Sequence, residues 1–246
     1  MNVTIVDYYS GNVSSVLNSF KEAAKYKPDL NIKIKLSNKL EDIKNADKLV
    51  LPGQGSFKNC INSLKSIDGL EEMLKEQVQI KKKFILGICV GMQMFADYGE
   101  EDGGSEGLAW IGGTVKKMII PPRTPIFEKK KIYNEKNEEI LVSVEKYEFK
   151  DFYRLPHIGW NQVTLHLCQE PTAEKFIDRL DQNPHFYFVH SYIFHLKDTD
   201  NFLGGSYYAG QKFTSAVIKE NIIGTQFHPE KSGNDGLLMI QNFLTL

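Results

Sequence analysis

The stretch Phe84–Phe95, Phe-Ile-Leu-Gly-Ile-Cys-Val-Gly-Met-Gln-Met-Phe, sets the tightest limit on what this chain can fold into. Phe84-Ile85-Leu86 is a short apolar run of the kind that forms a buried strand, and helix-compatible spacing follows at Met92, Phe95 and Ala96. Between them lies Gly87-Ile88-Cys89-Val90-Gly91, the thiol version of the Gly-x-Ser-x-Gly nucleophile elbow. The glycines let the backbone turn sharply without a side-chain clash, which forces Cys89 outward at the start of a helix. There the positive end of the helix dipole favours an anionic sulfur. A small buried cysteine in an ordinary strand-to-helix turn fits the same local pattern. The rest of the chain has to separate the two.

Strands alternate with helices on both sides of this stretch. Val3-Thr4-Ile5-Val6 is a β-type run followed by a turn at Tyr8–Asn12 and helical spacing over Ser14–Tyr26. Asn31–Leu36 is a second strand and Leu40–Ala46 a short helix. Lys48-Leu49-Val50-Leu51 is apolar enough to be a central strand and stops at Pro52-Gly53-Gln54-Gly55. Ser56–Ser66 and Gly69–Ile80 are helical pieces. This order implies βαβ units and a parallel sheet, in which ligands gather at the carboxyl ends of the strands. Pro52–Gly55 and Cys89 both lie at such ends.

The second half is strand-dense. Tyr98–Gly113 is a glycine-rich acidic loop leading into Thr114–Ile120, and Pro121, Pro122 and Pro125 then interrupt regular structure. Phe127–Asp151 keeps two β-type runs, with Asn134–Asn137 suited to a hairpin tip. After Pro156–Asn161, strands are expected at Gln162–Leu165, Phe186–Val189, Phe202–Gly204, Thr214–Ile218 and Ile222–Gln226, and an apolar helix face at Gly236–Leu244. The expectation is one α/β domain over residues 1–246 with a central, mostly parallel mixed sheet flanked by helices. Residues 119–153 form a β-rich insert, expected as a β-hairpin extension.

Composition removes several classes of function. A formal net charge of -1 argues against a nucleic-acid surface, although a local basic patch does not show in this number. Cys60, Cys89 and Cys168 include no Cys-x-x-Cys pair, so neither a disulfide framework nor a zinc ribbon is suggested, and a reducing cytoplasm is the simplest compartment. His166, His185, His190 and His195 lack metal-ligand spacing, so no metal is expected. Met1–Asp7 has no signal-peptide pattern, and no run approaches the roughly 18 apolar residues of a membrane span.

A nucleophilic cysteine needs a base and a group that orients the base. Thr225-Gln226-Phe227-His228-Pro229-Glu230 supplies both. Pro229 holds the chain extended, and in an extended segment residues i and i+2 share a side, so Glu230 reaches the His228 ring. The other ring nitrogen is then left for Cys89.

At this point the sequence resembles the class I (triad) glutamine amidotransferases. Gly87–Gln93 matches their nucleophile motif and His228-Pro229-Glu230 their base motif. Within the class it is most similar to the glutaminase subunit of imidazole glycerol phosphate synthase. The marks are Asp7-Tyr8 with Gly11-Asn12, Leu51–Phe57, Pro156-His157-Ile158-Gly159-Trp160-Asn161, Tyr187-Phe188-Val189-His190-Ser191-Tyr192 and Gln226–Ser232. Only about Ile119–Tyr153 falls outside the resemblance.

The resemblance implies that Cys89 attacks the carboxamide of glutamine, His228 shuttles the proton and Glu230 holds His228. The oxyanion would meet backbone N–H groups at Val90 and in Gly53-Gln54-Gly55. Gln93, Ser191 and Tyr192 would hold the substrate. No cofactor is implied. Ammonia would pass to the cyclase subunit of a heterodimer making imidazole glycerol phosphate and AICAR in histidine biosynthesis, across Asn12, Trp160, Asn161, Tyr187 and Lys231. His157 belongs to the same motif, as a structural or an interface residue.

Three departures bear on this. Gln54 stands where the family usually has a small aliphatic residue, Ser14 where many histidine-pathway members have arginine, and the insert is atypical. They leave room for a paralogous glutaminase feeding a surface-polysaccharide sugar amidotransferase. A free-standing cysteine hydrolase and a non-catalytic regulatory subunit are the readings from other classes.

Overall fold

The computed structural model describes residues 1–9, 11, 13–120, 126–133, 139–146, 153–166 and 170–246. Its centre is an eight-stranded sheet in the order Thr164–Leu165, Phe202–Tyr208, Gln211–Lys219, Ile222–Thr225, Phe84–Cys89, Lys48–Gly53, Asn2–Val6 and Lys33–Ser37. The last five run parallel, while the first three pair antiparallel with their neighbours. Lys48–Gly53 and Ile222–Thr225 are buried at every position, which is why they read as unbroken apolar runs instead of alternating ones.

Register brings the important ends together. Gly53 pairs with Cys89, and Thr225 pairs with Ile88 on the other side of the same strand. The chain leaving Thr225 therefore delivers Gln226 and His228 to the edge where Cys89 ends its strand. Helices Ser14–Lys25 and Gly233–Thr245 pack on one another through an edge-to-face Phe20–Phe243 contact with ring centres 6.2 Å apart. Lys48, buried at the start of its strand, donates to the Phe243 carbonyl at 2.7 Å, and burial lowers its amine to about 8.

Beside the main sheet lie smaller sheets, one of them mixed and the others antiparallel. Tyr192–Leu196 pairs with Gly113–Lys117, which also pairs with Tyr98–Gly99. His157–Gln162 pairs with His185–His190. Within residues 119–153, Ile126–Tyr133 pairs antiparallel with Glu139–Lys146. The expected hairpin tip at Asn134–Asn137 lies outside the described residues, as do Asn12 and Cys168.

Several elements differ from expectation. The helix after Cys89 is one turn, Val90–Gln93. The returning chain ends it, because Leu108, Trp110 and Ala109 donate to the carbonyls of Met94, Phe95 and Ala96 at 2.8, 2.9 and 3.0 Å. The Pro156–Asn161 motif is itself mostly strand. Its alternation buries His157 and exposes Ile158 and Trp160, the reverse of the hydrophobic pattern that announces a strand. The strand at Tyr192–Leu196 and the short helix Pro171–Phe176 are also additions.

The His157–Gln162 and His185–His190 pair encloses two neutral imidazoles. His157 and His190 are paired in register, with ring nitrogens 3.0 Å apart, and His157 stacks on Tyr208 at a ring-centre distance of 4.0 Å. Burial pushes His157 down to about 4 and His190 to about 3, against 6.5 for the unperturbed ring. Both native values are depressed, so their contribution to stability is intact above pH 6.5 and is lost as pH falls towards 4 and then 3. Urea titrations from pH 8 to 4 are expected to show stability falling below pH 6.5, at about 1.4 kcal/mol per pH unit for each proton excluded. The His157→Phe variant should show a shallower dependence.

Candidate active site

Cys89 ends its strand at φ 55° and ψ −113°, a backbone conformation rare for a residue with a side chain. It turns the thiol out of the sheet while Val90–Gln93 continues at an angle. Only missing side chains permit the approach that follows. A Cβ on Gly91 would lie 1.8 Å from the Leu51 carbonyl oxygen, and one on Gly53 2.4 Å from the Gly91 nitrogen. The Cys89 sulfur sits 3.6 Å from the Val189 carbonyl and 3.7 Å from the Gln226 side-chain nitrogen.

His228 reaches the sulfur from the far strand. Its extended backbone is pinned to the neighbouring strand: its N–H donates to the Tyr187 carbonyl at 2.9 Å. Ser232 Oγ donates to the His228 carbonyl at 2.6 Å and accepts the Tyr187 N–H at 3.0 Å. Nδ1 of the ring lies 2.8 Å from Glu230 Oε1, with side-chain exposures of 5% and 2%. Burial alone would lower this histidine, but hydrogen bonds and charge from Cys89 and Glu230 outweigh it and raise it to about 10.

These groups open into a cavity of about 310 Å³ whose wall includes Gly53, Gln54, Gly55, Val90, Gln93, Ser191 and Tyr192. Every residue expected to meet the substrate or the oxyanion is thus brought to one hollow. Gln93 is committed more deeply than the sequence suggests: its carboxamide nitrogen donates to the Tyr192 carbonyl at 3.1 Å and to Gln226 Oε1 at 2.8 Å. Trp160 and Tyr187 meet edge to face with ring centres 6.2 Å apart, Trp160 exposed, and Lys231 joins the cavity wall to the surface. Asn161 lies on the same strand as Trp160 and donates to the Tyr207 carbonyl at 2.9 Å.

Sequence reasoning missed two contributors. Glu101, in the acidic glycine-rich loop, lines the cavity; it accepts the Phe57 N–H at 2.7 Å, and burial raises its carboxyl. Nothing local distinguishes it from its neighbours Glu100 and Asp102. Cys60 packs beneath the loop and donates its thiol to the Gln54 carbonyl at 3.2 Å. Burial pushes that thiol up to about 11, so it stays protonated. Among the described residues no cluster of His, Cys, Asp and Glu could hold a metal ion, and no helix is long and apolar enough to cross a membrane.

The model of the family described as glutamine amidotransferase class-I matches residues 4–246. The chain is 44% identical to the imidazole glycerol phosphate synthase subunit HisH of Pelagibacter ubique over 246 residues, the whole of both chains. It is 36% identical to the protein of that name from Rhodospirillum rubrum, covering 99% of this chain and 98% of the relative. In shape it resembles a glutamine amidotransferase of known structure, with a TM-score of 0.61, 14% identity and coverage of 97% of this chain and 98% of the other. At that identity the likeness in shape speaks for the fold alone. The chain belongs to the class-I glutamine amidotransferases and, among them, to the HisH subunits of imidazole glycerol phosphate synthase.

Proposed function

We propose that Cys89, His228 and Glu230 are the triad with which this amidotransferase hydrolyses glutamine, and that the ammonia passes to a cyclase partner making imidazole glycerol phosphate and AICAR in histidine biosynthesis. The observation that carries the reading is the buried His228–Glu230 contact at 2.8 Å, with the His228 ring hydrogen-bonded to Cys89 inside one cavity. Glu230 occupies Nδ1, so the opposite nitrogen faces the sulfur.

Cys89 Sγ, as thiolate, attacks the side-chain carboxamide carbon of glutamine, and the carbonyl electrons move onto oxygen. The Val90 N–H and the Gly53-Gln54-Gly55 backbone stabilise that oxyanion. His228 gives its proton to the amide nitrogen, the C–N bond breaks and ammonia leaves. Water, deprotonated by His228, then attacks the γ-glutamyl thioester, the C–S bond breaks and glutamate is released. Glu101 is suited to the substrate's α-ammonium, since a buried carboxylate gains most from a cation beside it. Ser191, Tyr192 and the Gln93 carboxamide are suited to the amino-acid end.

Ammonia released into water would be protonated and lost to the reaction. A passage over Trp160, Asn161, Tyr187 and Lys231 to a docked partner keeps it neutral, and Asn12 belongs to the same face. The unit that acts is a single domain over residues 1–246 in a cytoplasmic heterodimer.

Glutamate release, measured with and without the cyclase and its phosphoribosyl substrate, tests the reading. Turnover is expected to rise at least about tenfold with both present, about 1.4 kcal/mol of barrier. No rise with the cyclase, together with a rise on adding a sugar amidotransferase, would redirect the ammonia to polysaccharide. Cys89→Ala should abolish glutamate release; a variant that kept its rate would remove Cys89 from the mechanism. In Glu230→Gln, kcat is expected to fall by roughly a hundredfold or more, because the ring loses the partner that sets its tautomer and charge.

A further inference from the structure

A continuous chain of hydrogen bonds, exposed at Asn161 and buried at its inner end, reaches the Cys89 sulfur, and the chemistry of each link fixes which group donates. The Tyr192 carbonyl can only accept, so His190 Nδ1, 3.0 Å away, carries the proton. The ring is held neutral by burial, so its Nε2 accepts from His157 Nδ1 at 3.0 Å. His157 is neutral for the same reason, and its Nε2 accepts from the Asn161 side-chain nitrogen at 3.4 Å. The Asn161 amide is itself oriented, with its nitrogen on the Tyr207 carbonyl at 2.9 Å and its oxygen on the Gln162 N–H at 2.8 Å.

From Tyr192 inward the pattern continues. Gln93 donates to the same Tyr192 carbonyl at 3.1 Å and to Gln226 Oε1 at 2.8 Å. That leaves Gln226, fully buried, with its NH2 group towards the sulfur at 3.7 Å. Neither His157, His190 nor Gln226 has a part in the proton transfers described above. The links from Asn161 run in one direction to the Tyr192 carbonyl, which also accepts from Gln93, and Gln93 in turn fixes the side chain of Gln226.

We propose that Gln226 is a contact residue of the nucleophile, donating a hydrogen bond that stabilises the Cys89 thiolate. Gln93, the Tyr192 carbonyl, His190 and His157 hold it in that orientation from Asn161 on the Trp160 strand. The proposal rests on the reading of Cys89 as nucleophile and adds a second group, besides the histidine, that orients the sulfur. Gln93, on this account, positions Gln226 as well as facing the cavity, and a displacement of Asn161 is felt at the sulfur through hydrogen bonds alone.

The test uses the full chain with its cyclase partner and compares Gln226→Met, which keeps the volume and removes the donor, with Gln226→Glu, which keeps the shape and turns an oxygen on the sulfur. A hydrogen bond to a charged group predicts about a tenfold fall in kcat for Gln226→Met, with the acidic limb of the pH–rate profile moved up by about one unit. The Gln226→Glu variant should fall further, and KM for glutamine should stay within about threefold of the parent in both. His157→Phe keeps the ring stack on Tyr208 and Phe188 and breaks the chain. It should slow iodoacetamide labelling of Cys89, read by mass spectrometry, by about threefold, and in combination with Gln226→Met it should deviate more than about twofold from the product of the single effects. A folded Gln226→Met enzyme with the parent rate and profile overturns the contact. Unchanged labelling in His157→Phe, or strictly multiplicative effects, overturns the chain, and the His157→Phe arm decides the matter if the Gln226 variants do not fold. Turnover by Cys89→Ala would instead strike the nucleophile reading itself.

Discussion

Everything in the site depends on two backbones touching where neither carries a side chain. The turn at Val90-Gly91 lies directly against the end of the Lys48–Gly53 strand, with room for no Cβ between Gly91 and the Leu51 carbonyl or between Gly53 and the Gly91 nitrogen. That contact brings the N–H groups at Val90 and at Gly53–Gly55 to the same hollow as the sulfur. It also holds Cys89 in a conformation that an unconstrained residue would leave. The strain is borne by a sheet whose central strands are buried on both faces, so it has nowhere to relax.

Charge is handled around that contact by exclusion of water. His228 and Glu230 are almost wholly buried, and each would be costly alone. At 2.8 Å each is the other's neighbour of opposite sign. His190 and His157 show the other outcome of burial, since without a carboxylate beside them they are held neutral. Neutrality is what makes them useful as directional hydrogen-bond links: a protonated ring would donate from both nitrogens and break the sequence of donors and acceptors that runs from Asn161 to the Tyr192 carbonyl.

The elements carrying the site were legible because they follow simple periodicities. Phe84–Cys89, Lys48–Gly53 and Ile222–Thr225 are apolar runs ended by glycine or by a polar motif. The His228–Glu230 contact was expected from an extended segment, but Pro229–Lys231 is a 3-10 turn that follows the extended His228 and brings Glu230 to its Nδ1. His157–Gln162 was not legible as a strand, because its buried positions are polar or small and its exposed ones are Ile158 and Trp160. The one-turn length of the helix after Cys89 was hidden as well. It is fixed by N–H groups of residues 108–110 returning to cap it, and helical spacing at Phe95 and Ala96 carries no trace of them.

By itself the sequence determined the chemistry available to this chain: an elbow cysteine, a His-Pro-Glu base motif and a glycine loop at a neighbouring strand end. Tertiary structure alone decided which other side chains face that chemistry. Glu101 enters the cavity from a loop indistinguishable from its acidic neighbours, and Gln226 turns its amide nitrogen to the sulfur because Gln93, from a different element, takes its oxygen. The physical reason is the same for both. Local sequence fixes backbone conformation through sterics and periodicity, whereas the direction of a buried polar group is fixed by the partner that satisfies it, and that partner is distant in the chain.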